Sequence, residues 1–555
     1  MRYSQLFGRS IRSVSQDVRS RGHEYLIRGG FIRESIAGRF YMLPLGMRVQ
    51  ERVVAIIKEE MERVGCQQML APVLHPRELW EETRRTASVS FELMQVKDRN
   101  DRSFVLGGTA EEMMVDVVRG FTLSEHDLPL CIYQFSTKFR DEMRARGGLL
   151  RAREFLMKDA YSFHSSRDDC ERFYERMSGA YARIFERLEL QTLRVAADNG
   201  YMGGDYCHEF IVEHSLGESR YLSAEDGSYC AHEDIASFIR DEMNSDEGIK
   251  DSLEVEAARG PSIEDGVRHY GQAAWRQIKS VVYVTEADEK ILVCIRGDLD
   301  ISEAKLIRAL QCSTLRLATT EEISALGTHV GFVSPLGFQG RVRIIGDTSL
   351  RSARNFITGA NTWQRDVLNV NYGRDFSADV LADIGVAQEG HRAVETRAML
   401  RERRGIEVGN IFSLGTWYSE RMRDATFTSS DGSRSNYHMG CYGIGVGRTL
   451  ATIAEVHHDQ SGLLWPKSAA PFDIHLLQIG NDEGSERSAN ERYSQLLATG
   501  RRVLFDDRDV SAGIKFADAD LLGVPERQII SKKLVSSGCA ETQLYRAGNS
   551  SVVKL

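Results

Sequence analysis

Residues 138–164, KFRDEMRARGGLLRAREFLMKDAYSFH, concentrate charge in a chain of 555 residues whose formal net charge is −9. Seven of these 27 side chains are Lys or Arg and four are Asp or Glu. CIYQFSTKFRDE alternates like a strand, which predicts that Lys138, Arg140 and Glu142 share one face. Arginine binds two phosphate oxygens through its planar fork, and Phe155 offers a face for a nucleobase. The stretch predicts a site for an anionic ligand, although a solvated hairpin with surface salt bridges would have the same composition.

A second stretch with chemical potential is residues 438–455, HMGCYGIGVGRTLATIAE, where a glycine-rich strand is predicted to run into a helix. Arg448 stands at the junction of the two elements. Glycine spacing alone is weak evidence for a ligand site. The two stretches therefore have to be interpreted together with the elements that position them.

The elements around the first stretch can be predicted from local patterns. Gly147 and Gly148 predict a turn that pairs the strand with RAREFLMKDAYSF in an antiparallel hairpin. Residues 46–65 place apolar side chains at helical spacing and end in Gly, which predicts an amphipathic helix. The following CQQMLAPVLHP predicts a strand closed by proline.

Composition limits the class of protein. A chain of 555 residues with 42% hydrophobic content can form about three or four domains. The apolar stretches are shorter than the roughly 18 residues of a membrane helix, so no span is expected. Nine cysteines without a close C-x-x-C pair indicate a reducing cytoplasm and structural thiols. A zinc site is conceivable, but the spacing of its candidate ligands matches no known pattern; they are Cys207, His208, Cys230 and His232.

The texture of the chain changes twice. Residues 224–405 mix strand-like runs such as SVVYVTEADEKILVCIRGD and RVRIIGD with a helical EAKLIRALQ, which predicts an α+β domain inserted into another domain. After Pro466 and Pro471, the runs FDIHLLQIG, RRVLFDDRD and IKFADADLLGVPERQIISK alternate strands with helices. This pattern predicts a compact α/β domain at the C-terminal end.

Several stretches occur in a fixed order: LPLGMRVQERVVAIIKEEMERVGCQQMLAPVL, GGTAEEM, FRDE with REFLMKDAYSF, GGDYCHEF, IEVGNIFSLGTWYS and GCYGIGVGR. This ordered set resembles the three motifs of class II aminoacyl-tRNA synthetases, and specifically the bacterial-type prolyl-tRNA synthetases. The resemblance covers essentially the whole chain, from YSQLFGRS to RQIISKK. It implies an α/β multidomain protein with an antiparallel catalytic sheet in 1–223 and 406–470, an inserted α+β editing-type domain in 224–405, and an α/β anticodon-binding domain in 471–555.

For ATP and Mg²⁺, the resemblance implies that Arg140 binds the α-phosphate, and that Arg448 binds the γ-phosphate and stacks on adenine opposite Phe155. Glu142 would lie near the adenine amino group or the acceptor end of tRNA. Arg151 would belong to the same nucleotide site, and Glu407 would be the magnesium ligand. Arg140, Glu142 and Arg448 would be the catalytic residues. Attack of a carboxylate on the α-phosphate needs fixed positive charge and little acid–base chemistry, which fits arginines and magnesium.

For L-proline, the resemblance implies that Thr109 and Glu111 hold the secondary ammonium, because a desolvated ammonium needs a carboxylate partner. His208 would help to wall the pocket, and Cys441 would limit its size. As isolated residues, each has a structural interpretation: Glu111 as a helix N-terminal acid, His208 as a bonded core histidine and Cys441 as core.

The inserted block corresponds to the editing domain that many members of this family carry. A proline pocket cannot exclude the smaller alanine sterically, since a missing methylene contributes only about 1–3 kcal/mol of discrimination. A second site that hydrolyses Ala-tRNA(Pro) would remove the error. The residues that match editing positions are Lys279, the turn GFVSP from Gly331 to Pro335, and Asp347.

The sequence also departs from the family pattern. Asp366, in GANTWQRDVLNVNY, stands near the position where the family often has an editing-site His, so editing could be weaker, altered or lost. In the synthetic site, Gly108 replaces a usual Pro, and Ser413 and Trp417 replace common Gln and Lys residues. Because a serine hydroxyl is shorter than a Gln side chain, we expect the exchange at Ser413 to shift a KM.

The resemblance implies L-proline and tRNA(Pro) as partners, a cytoplasmic homodimer with residues 46–76 at its interface, and neither DNA nor membrane as a partner. A local basic surface suffices for anticodon binding despite the negative net charge. The candidates for that contact cannot be ranked from spacing: Arg502, Arg508, Lys515, Arg527, Lys532 and Lys533.

Two other functions remain open at this point. One is a sister enzyme for threonine, serine or glycine, which TAEE, GCYGIGVGR and the lack of a threonine-type zinc-ligand set disfavour. The other is a paralogue that has lost catalysis and only binds tRNA or a partner. Such a protein is expected to lose its phosphate-binding arginines, whereas Arg140 and Arg448 are both present here.

Overall fold

The computed structural model describes residues 1–15, 18–87, 93–143, 145–312, 314–338, 340–544 and 549–554. The chain divides into two compact units. The first comprises Met1–Arg194, Asn199–Ser219 and Arg404–Leu555, and the second comprises Val195–Asp198 and Arg220–Arg403. Among the described residues, no helix combines the length and apolar character needed to span a bilayer.

The N-terminal part of the chain contains the predicted amphipathic helix. Its helices are α1 Arg21–Arg28, α2 Pro44–Arg63, α3 Arg77–Glu82, α4 Glu111–Arg119 and α5 Arg167–Arg187. Its strands are β1 Ile32–Ile36, β2 Arg39–Met42, β3 Gln67–Gln68, β4 Leu74–Pro76, β5 Gln95–Lys97, β6 Ser103–Leu106, β7 Leu130–Phe139, β8 Glu154–His164, β9 Thr192–Ala197 and β10 Tyr206–Glu213. Helix α2 begins with Pro44, which suits the first helical turn, and buries Val49, Val53 and Ile57 completely.

The second unit is an α+β assembly, as its alternating texture predicts. Its helices are α6 Ile263–Tyr270, α7 Glu303–Leu310 and α8 Thr320–Ala325. Its strands are β11 Ser219–Ala224, β12 Cys230–His232, β13 Leu253–Glu256, β14 Ile278–Thr285, β15 Lys290–Arg296, β16 Leu315–Leu317, β17 Arg343–Asp347, β18 Phe356–Gly359, β19 Arg365–Val370 and β20 Val380–Ala382. One sheet has the order β16-β14-β15-β17-β20 and another the order β13-β19-β18. Both contribute to a core around Leu292, Ile344 and Phe356.

The C-terminal part of the chain returns to the first unit. Its strands are β21 Leu400–Gly415, β22 Thr426–Thr428, β23 Arg434–Asn436, β24 His438–Gly445, β25 Ile474–Ile479, β26 Val503–Asp506, β27 Glu526–Ser531, β28 Cys539–Leu544 and β29 Asn549–Lys554. Its helices are α9 Trp417–Arg421, α10 Val446–Val456, α11 Glu483–Ala498, α12 Ala512–Leu522 and α13 Lys532–Ser536. The sheet β26-β25-β27-β28-β29 confirms the predicted C-terminal α/β region.

The central sheet of the first unit runs in the order β10-β21-β24-β8-β7-β3. Strands β7 and β8 form the predicted antiparallel hairpin, in which Leu130 is opposite Phe163 and Phe139 is opposite Glu154. The glycines of its turn have positive φ angles of 67° at Gly147 and 64° at Gly148. The predicted strand-to-helix junction at Arg448 is also confirmed, because β24 ends at Gly445 and α10 begins at Val446.

Two local predictions are wrong in extent. Strand β7 ends at Phe139, so Arg140 and Glu142 lie beyond it and do not share a strand face with Lys138. CQQMLAPVLHP forms two short strands, β3 and β4, instead of one. Between them, the Gln134 side chain accepts a hydrogen bond of 3.0 Å from the backbone N–H of Ala71, which takes that N–H out of the ladder.

Candidate active site

Arg140 lies at the end of β7, between an aromatic ring and a loop. Its Nε donates to the carbonyl oxygen of Gly108 over 3.3 Å, and its guanidinium lies 5.4 Å from the centroid of the Phe155 ring. Its backbone N–H donates to Arg153 O over 2.9 Å, which continues the hairpin past the formal end of the strand. The arginine and the aromatic ring predicted for the nucleotide are therefore in contact.

Glu142 and Arg151 form an ion pair across the turn. Arg151 donates to Glu142 Oε2 from Nε over 2.9 Å and from Nη2 over 2.6 Å, and its Nη1 donates to Glu218 over 2.6 Å. The Arg153 side chain donates to the backbone carbonyl of Glu142 over 2.8 Å. Glu142 thus has an arginine partner that is itself one of the predicted nucleotide-binding residues.

Arg448 lies in the first turn of α10 and bridges two neighbouring elements. Its Nε donates to Leu150 O over 2.8 Å, and its Nη1 donates to Glu407 Oε2 over 2.9 Å. The other oxygen of Glu407 accepts from Asn410 Nδ2 over 3.1 Å. Arg448, which is predicted to bind phosphate, and Glu407, which is predicted to bind the metal, are thus paired with each other.

A cluster of buried charges, which we call the carboxylate box, lies at the start of α4. The Thr109 hydroxyl lies 2.7 Å from both oxygens of Glu111. Arg85 Nη1 contacts Glu111 Oε2 at 3.2 Å and Glu112 Oε1 at 2.9 Å, and the Thr83 hydroxyl donates to Glu112 over 2.8 Å. Glu111 and Glu112 are 0% exposed, so the box lies in a medium in which charge interactions are strong.

Cys441 and Tyr161 close the box from the central sheet. Cys441 Sγ donates to Glu111 Oε1 over 3.1 Å, and burial together with Glu111 raises the pKa of this thiol, which stays protonated. The hydroxyl of Tyr161 accepts from the backbone N–H of Ala110 over 3.0 Å and donates to Asp159 over 2.9 Å. Lys138 Nζ completes this network with a 2.9 Å bond to Asp159.

The loop before the box packs on a buried histidine. A Cβ added to Gly107 would come within 2.3 Å of the His75 ring, so the backbone approaches that ring closely. His75 Nδ1 accepts from Trp80 Nε1 over 3.3 Å. Burial, and then Lys138, lower the pKa of His75 to about 3, so the ring is neutral near pH 7.

His208 is placed on β10 and faces α5. Its Nδ1 lies 2.8 Å from the Tyr174 hydroxyl oxygen and 3.4 Å from Arg194 Nη2. Burial, and then Arg194, lower its pKa to about 4. Its hydrogen bonds therefore go to Tyr174 and Arg194 rather than to the carboxylate box.

The departures at positions 413 and 417 have distinct surroundings. Ser413 is 5% exposed, stands opposite Tyr206 in the β10–β21 ladder, and its carbonyl accepts from Asp205 N over 2.8 Å. The Trp417 ring packs closely on Gly203, and the guanidinium of Arg421 lies 4.1 Å from its centroid. Gly108 contributes its carbonyl to Arg140.

Within the described residues, no group of three or more His, Cys, Asp or Glu side chains is placed to hold a metal ion. Magnesium is commonly held by one or two carboxylates together with substrate phosphates, so a protein-only cluster is not required. Glu407, whose side chain is 26% exposed, has the donor type and the access that such a shared site needs.

The second unit contains a cavity of about 530 Å³ lined by Lys279 and Gly331. Pro335 and Asp347 are not among its described lining residues. Lys279 Nζ donates to Leu299 O over 2.6 Å and to Asp300 over 2.9 Å. Two of the four editing-site predictions are thus brought together at one cavity.

Two carboxylates that the sequence singled out in this unit, Asp347 and Asp366, form buried ion pairs. Asp347 pairs with Arg240 at 2.8 Å and accepts from the backbone N–H of Ser349, also over 2.8 Å. Asp366 pairs with Arg259 over 2.6 and 2.7 Å and accepts from the Tyr270 hydroxyl over 3.0 Å. Arg259 lines the cavity, so Asp366 fixes one of its walls.

Most of the anticodon-contact candidates are engaged within the protein. Arg502 pairs with Asp473, Arg508 with Asp506, and Arg527 with Asp520, at 2.5, 2.6 and 2.5 Å respectively. Lys515 donates to Gln478 O over 2.6 Å. Lys532 and Lys533 instead begin α13 and are exposed.

Comparison with known proteins identifies the class first. The class II tRNA synthetase core domain (G, H, P, S and T) matches residues 94–457, and an anticodon binding domain matches residues 473–548. The chain belongs to the class II aminoacyl-tRNA synthetases. It is 40% identical over 557 aligned residues, 100% of this chain and 98% of the relative, to a proline–tRNA ligase of Bacillus velezensis. Within the class, this chain belongs to the proline–tRNA ligases.

Two solved structures show the same fold at low sequence identity. The Giardia lamblia prolyl-tRNA synthetase in complex with prolyl-adenylate has a TM-score of 0.57 and 14% identity, covering 96% of this chain and 72% of that one. The Cryptosporidium parvum prolyl-tRNA synthetase complexed with L-proline and AMP has a TM-score of 0.56 and 13% identity, covering 98% and 74%.

Sequence reasoning missed Arg85 and Glu112 as site residues. Arg85 lies in the irregular ETRRTAS, where no periodicity distinguishes it from a surface arginine. It also missed Lys158, which is fully buried and donates to Tyr181 Oη over 2.7 Å and to Tyr442 O over 3.0 Å. A signal existed for Lys158, because Lys-Asp interrupts an otherwise apolar strand.

Proposed function

We propose that this protein activates L-proline with ATP and transfers the prolyl group to tRNA(Pro). The proposal is supported by one loop that contributes to both predicted subsites. The carbonyl of Gly108 accepts from Arg140, which lies against Phe155, and the next residues, Thr109 and Glu111, form the carboxylate box. A nucleotide on Arg140 and an amino acid on Glu111 would therefore be neighbours.

The prolyl ammonium would bind at Glu111. The Thr109 hydroxyl and the Cys441 thiol both hydrogen-bond this carboxylate, which fixes its orientation. A buried carboxylate with fixed geometry is a strong partner for a secondary ammonium, since little reorganisation is needed on binding. Cys441 would also bound the ring-sized space beside Glu111.

The chemical step needs charge stabilisation. A proline carboxylate oxygen forms a bond to the α-phosphorus of ATP while the bond from that phosphorus to the bridging oxygen of pyrophosphate breaks. Arg140 would hold the α-phosphate, and Arg448 the γ-phosphate. Magnesium bound at Glu407 would neutralise phosphate charge when present.

The ion pair between Arg448 and Glu407 would have to open before Arg448 could bind the γ-phosphate and Glu407 could bind magnesium. In the structure they pair at 2.9 Å, with side chains 29% and 26% exposed. Triphosphate oxygens and a divalent cation offer each partner a new counter-charge. In the second step, the 2′- or 3′-hydroxyl of the terminal tRNA adenosine attacks the prolyl carbonyl and AMP leaves.

The test is proline-dependent exchange of pyrophosphate into ATP, followed by charging of a tRNA(Pro) transcript. We expect both with proline and neither with threonine, serine or glycine. Exchange that depends on one of those amino acids instead would contradict the proposal. Exchange with proline but no charging would confine the function to adenylate formation.

The cavity of the second unit would hydrolyse Ala-tRNA(Pro). Lys279 and Gly331 line it, and the Lys279 ammonium would engage the tRNA backbone or the terminal adenosine. We expect Lys279→Ala to slow deacylation of preformed Ala-tRNA(Pro) without affecting proline exchange. The matched control is Lys290→Ala, because Lys290 lies on the neighbouring strand β15 and pairs with Asp288. If the wild-type protein leaves Ala-tRNA(Pro) intact, the editing assignment is wrong.

A cytoplasmic homodimer through residues 46–76 is part of the proposal. Met47, Leu70 and Leu74 are 37, 71 and 45% exposed, so this region presents apolar side chains to solvent. Light scattering on the purified protein is expected to give the mass of two chains, and Leu70→Asp to weaken the association. A monomer at micromolar concentration would contradict it.

A further inference from the structure

The charges of the carboxylate box do not balance. Glu111 and Glu112 contribute two negative charges, and Arg85 contributes one positive charge. The other titratable groups against the box come from β8, β24 and α9: Tyr161, Cys441 and Tyr418. Burial raises the pKa of each of these three, so they are neutral near pH 7. Beyond the box, Lys138 pairs with Asp159, and the buried Lys158 donates to the Tyr181 hydroxyl and the Tyr442 carbonyl rather than to either carboxylate of the box.

Arg85 is fixed in a position from which it reaches both carboxylates. Its guanidinium lies 5.1 Å from the Trp80 ring and 5.6 Å from the Tyr418 ring, and its side chain is 4% exposed. Its Nη1 is 2.9 and 3.1 Å from the two oxygens of Glu112 but 3.2 Å from one oxygen of Glu111. The geometry favours Glu112 as the main partner of Arg85.

We propose that Arg85 and Glu112 are specificity-determining positioning residues that neutralise each other and leave Glu111 as one uncompensated buried charge, which selects a cationic secondary amine over a neutral ring of the same shape. The inference rests on the proposed contact between Glu111 and the prolyl ammonium. Burial and the neighbouring Glu111 raise the pKa of Glu112, and Arg85 opposes that shift, which fits Arg85 as the partner that keeps Glu112 charged.

The test is a charge series in the proline-dependent exchange assay. Glu112→Gln keeps a partner for the Thr83 hydroxyl but lets Arg85 pair with Glu111 alone, so the box becomes neutral. We expect the KM for proline to rise about 10- to 100-fold, with kcat and the KM for ATP nearly unchanged. The double variant Arg85→Met with Glu112→Gln restores one net negative charge, and we expect it to recover most of the lost affinity.

A structural role predicts the opposite for the double variant. A second buried substitution would then add to the first, and the KM would rise further. An unchanged KM in Glu112→Gln, or a double variant worse than the single one, overturns the inference. Glu82→Gln is the control, because it removes the ion pair with Arg119 at the far end of α4 and should leave the KM for proline unchanged.

A second measurement covers a double variant that fails to fold. Tetrahydrofuran-2-carboxylate carries a ring oxygen where proline has its ammonium. In Glu112→Gln we expect proline binding to weaken, while the inhibition constant of this analogue, whose ring is uncharged, stays the same or falls. Equal weakening of both ligands contradicts the inference. Failure of the wild-type protein to use proline, or an unchanged KM in Glu111→Gln, would instead refute the proposed function or the ammonium contact.

Discussion

The proposed amino-acid pocket and the proposed nucleotide-binding face of the first unit hold their charges in opposite ways. In the pocket, Glu111 and Glu112 are 0% exposed and are held by Thr109, Thr83 and Arg85. On the nucleotide face, Arg151 and Arg448 are 36 and 29% exposed and pair with carboxylates. Under the proposed function, the pocket is preorganised for a cation, whereas the arginines of the nucleotide-binding face would have to exchange their carboxylate partners for phosphates.

The largest effect is expected from Glu111→Gln. Removing the buried charge leaves the prolyl ammonium without its counter-ion, so the KM for proline should rise by about 100-fold or more. Pyrophosphate exchange at varied proline and ATP measures the two constants separately. Asp116→Asn, on the same helix but 45% exposed, is the control. A comparable rise in the KM for ATP would mean that the two regions are not distinct.

A large effect of another kind is expected from Arg448→Ala. Arg448 is proposed to stabilise the negative charge of the phosphates in the transition state. Its loss should therefore lower kcat by about 100- to 1,000-fold, while the KM for proline changes little. Single-turnover formation of prolyl-adenylate measures this step. Arg434→Ala, an exposed arginine near Asp424, should behave as the wild type. A change confined to the KM for proline would contradict the assignment.

Acid is expected to lower the free energy of unfolding through His75, which packs on the loop before the carboxylate box. The pKa of this ring is about 3 in the folded protein and 6.5 for an unperturbed histidine. Below pH 6.5 the unfolded chain therefore binds a proton that the folded chain does not. Stability is therefore lost as pH falls from 6.5 towards 3, by about 2 kcal/mol at pH 5 for this one group. Denaturant midpoints at pH 7 and pH 5 should show a smaller loss in His75→Asn. Substituting the exposed His126 by Gln should not change the difference.

The smallest effect is expected at Ser413. A Gln there can reach further than the serine hydroxyl, so Ser413→Gln should lower the KM for ATP or proline by about twofold to tenfold, the contribution of one hydrogen bond. Steady-state exchange kinetics measure both constants. Unchanged constants would show that the departure at this position has no catalytic consequence.

The sequence predicted the elements whose signals are local. Helix α2, the hairpin of β7 and β8, and the junction at Arg448 follow from periodicity and glycine turns within a few tens of residues. The break between β3 and β4 could not be predicted, because the acceptor for Ala71 N–H is a side chain 63 positions away.

The pocket shows the same limit at the level of single residues. Glu111 could be selected because it stands in a motif, and the structure gives it buried hydrogen-bond partners. Arg85 could not, because its role depends on contacts with Trp80, Tyr418 and Glu112 that only the folded chain creates. The roles of the nucleotide-site and editing-site residues stay predictions until they are measured.

The most direct measurement is calorimetric titration of proline into the nucleotide-free protein, with the wild type and Glu111→Gln side by side. A preorganised pocket should bind proline without ATP, and Glu111→Gln should lose this binding. Proline binding that requires ATP, or that survives Glu111→Gln unchanged, would contradict a preformed carboxylate site for the ammonium.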